Sequence, residues 1–132
     1  RPIEIFNHGK MLRDFTYVDD IVEGIVRVTD HTATADPAYA PDEADPATSN
    51  APYRVFNIGN HTSVPLLDFV AEIESALGKA VEKRLLPMQD GDVPATYADT
   101  ALLNDWVGFA PATSIHEGIS RFVAWYRDYY QA

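Results

Sequence analysis

The sequence predicts an α/β domain, a mixed α+β lobe in which short strands alternate with amphipathic helices. Short apolar runs that stop at glycine, Ile3 to Phe6 ahead of Gly9 and Tyr53 to Ile58 ahead of Gly59, have the length and punctuation of strands. Between and after them lie stretches with apolar residues at helical spacing, each introduced by a residue suited to a helix start. The chain of 132 residues, 46% hydrophobic and 23% charged, is one domain by length and large enough to bury a single core.

Ile3 to Phe6 ends at the turn signal Asn7-His8-Gly9, and Met11 to Val18 reads as a second extended piece, so residues 3–18 are expected to form a hairpin. Asp19 suits an N-cap, with Asp20 and Glu23 favourable near the positive end of the helix dipole. Ile21, Val22, Ile25, Val26 and Val28 then make an apolar stripe that ends near Asp30. Residues 32–52 contain four prolines and four acids and few large apolar groups. Such a segment cannot bury enough surface to offset its ordering entropy, so it reads as a mobile surface loop, long enough to be an insertion.

Tyr53 to Ile58 is expected as a strand. Ser63 is a candidate N-cap with Pro65 tolerated in the first turn, where its missing N–H would have no partner. Leu66, Phe69, Val70, Ile73 and Leu77 line one face of the helix that follows, and Gly78 stops it. Val81 to Met88 looks extended, and Asp99 can cap a short helix through Trp106 that Gly108 closes. Ser114-Ile115-His116-Glu117 fits a capping box, with Ile119, Phe122, Val123, Tyr126 and Tyr130 as the apolar face behind it. There is no internal repeat.

A net charge of −10 argues against a nucleic-acid partner, which needs a basic surface. It leaves an anionic small ligand open, because one or two placed arginines outweigh a diffuse negative field locally. No apolar run approaches the roughly 20 residues of a membrane span, so no membrane partner is expected. No signal peptide is visible. The absence of cysteine excludes disulfides and thiolate metal sites and fits a cytoplasmic protein. The chain starts with Arg1, which reads as a cut or processed end.

Arg13 stands in the first informative stretch, Gly9-Lys10-Met11-Leu12-Arg13-Asp14-Phe15-Thr16-Tyr17-Val18-Asp19-Asp20. Its guanidinium offers several N–H donors in a rigid fork suited to pyrophosphate oxygens. Spacing alone favours the plainer reading, a structural pair with Asp14 or Asp19. The second stretch, Leu86 to Asp99, has Gly91 between Asp90 and Asp92 and Pro94 just beyond. An aspartate on such a loop can accept from ribose hydroxyls, although a solvated acidic turn is the commoner use of these residues.

Together and in this order the two stretches resemble the C-terminal substrate-binding part of the extended short-chain dehydrogenase/reductase family, and within it the NAD-dependent UDP-glucuronate 4-epimerase branch. The resemblance runs from Ile3 to Tyr130 apart from 32–52. It implies that Arg13, in Arg-Asp-Phe, contacts a nucleotide diphosphate, and that Asp92 contacts the ribose. Gln89 stands where related sugar epimerases carry an arginine, in Gln89-Asp90-Gly91-Asp92 against Arg-x-Gly-Asp, and a neutral amide is a weaker phosphate ligand. Phe15, Tyr17 and Val18 are expected as core beneath the loop, and Asp14 and Asp19 as capping or orienting residues. The implied substrate-binding residues are therefore Arg13, Gln89 and Asp92.

Other features carry less. His8, His31, His61 and His116 have no metal-ligand spacing, and His8 reads as a solvated turn residue. Asn57-Ile58-Gly59-Asn60 lacks the rest of a dinucleotide fingerprint. Trp106, Phe109, Phe122, Trp125, Tyr126, Tyr129 and Tyr130 read as core or interface. The Tyr-x-x-x-Lys pair of the family is missing, the residues four after Tyr17, Tyr53, Tyr97 and Tyr126 being Ile21, Asn57, Ala101 and Tyr130.

The resemblance therefore implies residues 1–132 of a longer epimerase, a substrate-binding domain without the Rossmann half that holds NAD. No catalytic or cofactor-binding residue is expected here, and the chain alone should be inactive. Its expected partners are a UDP-sugar and the missing N-terminal NAD-binding half, with self-association through apolar surface left uncovered. The alternatives are a nucleotide-sugar 4,6-dehydratase or decarboxylase of the same family, or a stand-alone binding module without catalysis.

Overall fold

The computed structural model describes residues 1–43 and 45–131. Among these, four three-residue strands and four α-helices follow in the order β1 (Ile3–Ile5), β2 (Leu12–Asp14), α1 (Val18–Asp30), β3 (Ser63–Pro65), α2 (Leu66–Leu77), β4 (Lys83–Leu85), α3 (Ala101–Val107) and α4 (Ile115–Tyr130). The mixed α/β class is as expected; the pairing of the strands is not.

The anticipated hairpin over 3–18 does not form. β1 pairs parallel with β4, Ile3 opposite Lys83 and Ile5 opposite Leu85, whereas β2 pairs antiparallel with β3, Leu12 opposite Pro65 and Asp14 opposite Ser63. The tight turn Phe6–Gly9 is the cause, because Asn7, His8 and Gly9 all take positive φ (48°, 50° and 77°) and turn the chain aside. Asn7 suits this conformation, its Nδ2 donating to the Lys10 carbonyl at 2.8 Å. Gly9 is required twice over: besides its φ, a Cβ there would lie 2.8 Å from Leu67 of α2.

Several boundaries differ from the sequence reading for local reasons. α1 begins at Val18, with Tyr17 at the N-cap and no side-chain cap, so Asp19 lies in the first turn rather than capping it. Ser63 belongs to β3, where its Oγ donates to the Thr96 carbonyl at 2.8 Å, and α2 starts directly after Pro65. Tyr53 to Ile58 is no strand. Only the bridge of Thr48 with Arg54 forms there, because a strand needs a paired edge and none is offered. Residues 32–52 hold a 3-10 turn at Pro41–Glu43, and the Asp36 amide donates to the Ser49 carbonyl at 2.8 Å.

The helix stops behave as read. Gly78 and Gly108 close α2 and α3 with φ of 68° and 62°. Asp99 Oδ1 accepts from the Ala101 amide at 3.0 Å, so it serves the first turn of α3 from just outside. At α4 only half the capping box forms. Ser114 Oγ accepts from the Glu117 amide at 3.2 Å, while the Glu117 carboxylate turns to Arg121 at 2.5 Å.

The buried core is small: Ile5, Met11, Val70, Leu103, Ile119 and Val123. Val70 belongs to α2 and Ile119 and Val123 to α4, which pack on each other; Leu103 belongs to α3, which meets α1; Ile5 ends β1 and Met11 precedes β2. Glu74 fastens the end of α2 to β4, accepting from Lys83 Nζ at 2.5 Å and from the Val81 amide at 2.7 Å. These donors, the lysine first, hold the Glu74 carboxyl below its ordinary value.

Candidate functional site

Arg13 sits in the middle of β2, and residues 94–96 run along the other edge of that strand. The Leu12 amide donates to the Pro94 carbonyl at 2.9 Å, and the Thr96 amide donates back to Leu12 at 3.1 Å. This lays the 89–93 loop beside Arg13. Gly91 makes the turn with φ 81°, open space on all sides, so its role is conformational. The Asp92 amide then donates to the Gln89 carbonyl at 3.3 Å.

The two stretches singled out in the sequence thus converge on one ion pair. Arg13 Nη2 and Asp92 Oδ1 lie 2.7 Å apart across 79 residues of chain, with side chains 21% and 31% exposed. The expected structural partners of Arg13, Asp14 and Asp19, are replaced by Asp92. Arg13 Nη1 donates to the Leu12 carbonyl at 2.9 Å, and Nη2 also lies 3.8 Å from the Met11 sulfur, so the guanidinium is held on both sides. Asp92 Oδ1 further accepts from the Val93 amide at 2.8 Å. Gln89 is exposed on the same loop.

Asp14, next to Arg13, is a clamp. Its carboxylate accepts from the amides of Asn60 (2.9 Å), His61 (3.1 Å) and Ala98 (3.0 Å), joining three segments. The Asp14 amide adds a bond to Thr96 Oγ1 at 3.1 Å. Gly59 permits this junction, for a Cβ there would fall on Ala98 and on the Asp14 carboxylate. The 57–60 turn is therefore filled by protein and offers no cradle for a dinucleotide. Sequence reasoning anticipated an orienting role for Asp14 but not its partners. Neither Gly59 nor Thr96 carried a signal beyond following a strand-like run and preceding a tyrosine.

Asp19 does not share that role. Among the described residues it pairs with Arg121 alone, at 3.7 Å and largely in solvent, and Asp20 is the second clamp instead. The Asp20 carboxylate accepts from the Ala112 amide (3.2 Å), the Thr113 amide (2.9 Å) and the Thr113 hydroxyl (2.9 Å). Phe15 stacks on Phe69 with centroids 3.9 Å apart, and Tyr17 lies against Gly118 and Arg121. Val18 is 60% exposed, so it is not part of the core beneath the loop. Phe15, Tyr17, Phe69, Ile73, Ile119 and Phe122 line an apolar cleft of about 330 Å³ that does not include Arg13 or Asp92.

His8 is exposed in its turn. Among the described residues no group of three or more His, Cys, Asp or Glu is placed to hold a metal ion. Trp106 and Phe109 are half-buried, the indole donating to the His31 carbonyl at 3.1 Å. Phe122, Trp125, Tyr126, Tyr129 and Tyr130 are exposed along α4, which removes them from the core. Among the described residues no helix is long and apolar enough to cross a membrane.

This fold is that of part of the NAD-dependent epimerases. A UDP-glucuronic acid 4-epimerase from Bacillus cereus, solved with UDP-glucuronic acid and NAD, matches 98% of this chain with 36% of its own, at TM-score 0.75 and 26% identity. A UDP-glucose 4-epimerase from Bifidobacterium longum, at 21% identity and TM-score 0.76, shares the fold over 97% of this chain and 35% of its own.

In sequence the chain resembles part of the UDP-glucuronate 4-epimerases. Residues 1–59 match the NAD dependent epimerase/dehydratase family. Protein CapI of Staphylococcus aureus is 46% identical over 131 residues, covering 99% of this chain and 39% of that protein. A probable UDP-glucuronate 4-epimerase of Rhizobium meliloti (strain 1021) is 45% identical, covering 99% and 39%. UDP-glucuronate 4-epimerase 4 of Arabidopsis thaliana is 40% identical, covering 98% and 30%. The chain thus spans about two fifths or less of the length of the curated relatives it matches.

Proposed function

We propose that this chain is the nucleotide-sugar-binding domain of an NAD-dependent UDP-glucuronate 4-epimerase, residues 1–132 of a longer protein. The observation that carries the reading is the convergence of Arg13 and Asp92, to which the resemblance gives the diphosphate and the ribose, on one edge of β2. Arg13 holds the diphosphate through its guanidinium fork, Asp92 accepts from the ribose hydroxyls, and Gln89 donates its side-chain amide from the same loop. Binding energy spent on the UDP moiety then positions the sugar.

The complete enzyme would convert UDP-glucuronate to UDP-galacturonate in the cytoplasm, supplying polysaccharide biosynthesis. Its bound NAD would take and return a hydride at C4 of the sugar. The residues of this chain do not fit NAD: Gly59 is packed against Ala98 and Asp14, and no glycine-rich fingerprint or Tyr-x-x-x-Lys pair is present in the sequence. The chain alone is therefore inactive, and the exposed apolar residues of α1 and α4 support covering by an NAD-binding half or by a second copy.

The test is an amide NMR titration of the chain with UDP-glucuronate, with UDP-glucose and NAD as comparisons. Shifts clustered at Arg13 and residues 89–93 with UDP-sugars, and absent with NAD, are expected. A dispersed spectrum that ignores UDP-sugars, or shifts remote from Arg13, would sink the reading in favour of a binding module of another kind.

A further inference from the structure

We propose that the exposed aromatic face of α4 docks a second copy of this chain, the two α4 helices lying antiparallel about a two-fold axis with Arg121 of each opposite the partner's Asp128. The inference goes beyond the nucleotide-sugar reading and stands independently of it.

Phe122, Trp125 and Tyr129 recur at spacings of three and four along α4, and Tyr126 and Tyr130 widen the stripe. The helix turns Ile119 and Val123 inward and packs on α2, so the aromatic stripe is left outside. Its rings hold one another in place: Trp125 stacks on Tyr129 with centroids 5.4 Å apart, and Tyr126 lies 4.6 Å from Tyr130. Aromatic side chains held in this way lose little freedom when they are covered. At roughly 200 Å² for a whole aromatic side chain, the exposed parts of these five amount to about 500 Å² on each copy. A pair then buries about 1,000 Å², the low end for a specific interface, which fits a reversible dimer.

The flanking charges select the occupant and its direction. Arg121 and Asp128 are seven residues apart, two turns and about 10 Å along the same flank of the stripe. A two-fold axis perpendicular to α4 returns that flank to itself with its direction reversed, so the Arg121–Asp128 match is made twice. Parallel helices would instead set like charges level with each other and align the two helix dipoles. The Nη groups of Arg121 reach Glu117 and Asp19, which leaves its Nε–H without a partner among the described residues. Asp128 is exposed and enters no ion pair among them.

Sedimentation equilibrium at about 150 mM salt, where the charge of −10 on each copy is screened beyond about 8 Å, tests the pairing. The chain should form a concentration-dependent dimer. Arg121→Asp and Asp128→Arg, each alone, put like charges opposite each other twice and should weaken it roughly tenfold. Mixing the two single variants restores opposite charges at both positions, so the mixed dimer should form within about threefold of the unsubstituted affinity. Urea midpoints check that each variant keeps its fold, and rescue on mixing cannot come from a damaged one. A chain that stays monomeric to millimolar concentration, a dimer that ignores both variants, or variants that mixing does not rescue would each overturn the proposal. Association that Ile25→Glu abolishes and the charge variants leave alone would place the second copy on α1 and overturn it as well.

Discussion

Asp14 shows how much one carboxylate can organise. It satisfies three backbone N–H groups from two segments distant in the chain, and each would be left unpaired by truncation. Asp14→Ala is expected to lower stability by about 2–3 kcal/mol, read from the urea midpoint at constant slope. Asp14→Asn should recover little of this, because its Nδ2 would face donors. Asp19→Ala is the control, since that side chain is solvent-exposed and its ion pair with Arg121 is long; its effect should stay within about 0.5 kcal/mol. A result in which the two aspartates cost the same would refute the assignment of Asp14 as the clamp. Gly59→Ala belongs with Asp14, because the added methyl must displace Ala98 or the carboxylate itself.

At the scale of single elements, ends matter more than propensity. Ser114 accepts from the Glu117 amide at the start of α4, and Ser114→Ala should cost about 1 kcal/mol by thermal or urea unfolding. Glu117→Gln should cost less, because its carboxylate faces Arg121 rather than completing the box. The junction of α2 with β4 is pH-sensitive through Glu74, whose carboxyl is held below its ordinary value of 4.5 by Lys83 and the Val81 amide. A carboxyl with a lowered folded value binds fewer protons than in the unfolded chain. Its contribution is present above about pH 4.5 and is lost as pH falls through the lower folded value. Stability measured down that range should decline less steeply in Glu74→Gln, and an unchanged slope would remove Glu74 as the cause.

The whole molecule is under-covered. Val18, Val22, Ile25 and Val26 on α1, and Phe122, Trp125, Tyr126, Tyr129 and Tyr130 on α4, are each more than two-fifths exposed. Apolar faces of that kind mark surfaces that another surface covers. Sedimentation of the purified chain should show mass rising with concentration, and Ile25→Glu with Trp125→Glu should reduce it. A monomer at every concentration would mean the side chains repack over these faces instead.

Amphipathic spacing, glycine stops and the Ser114 cap were legible along the chain because they depend on neighbours within a turn or two. The residues at 13 and 92 alone favoured a structural pair and a solvated turn, and it was the resemblance that singled out both stretches, which the fold brings together in one ion pair. Three matters waited for the tertiary structure. The strands found distant partners because the Phe6–Gly9 turn breaks the hairpin, and Tyr53 to Ile58 formed no strand beyond the single bridge of Arg54 with Thr48. Asp20 rather than Asp19 became the second clamp, as only its carboxylate reaches the amides at 112 and 113. Arg13 chose Asp92 over its near neighbours because β2 and residues 94–96 bond edge to edge. Local propensity is written residue by residue, whereas pairing across 79 residues is decided by which backbone edges and charges the packed chain brings within reach.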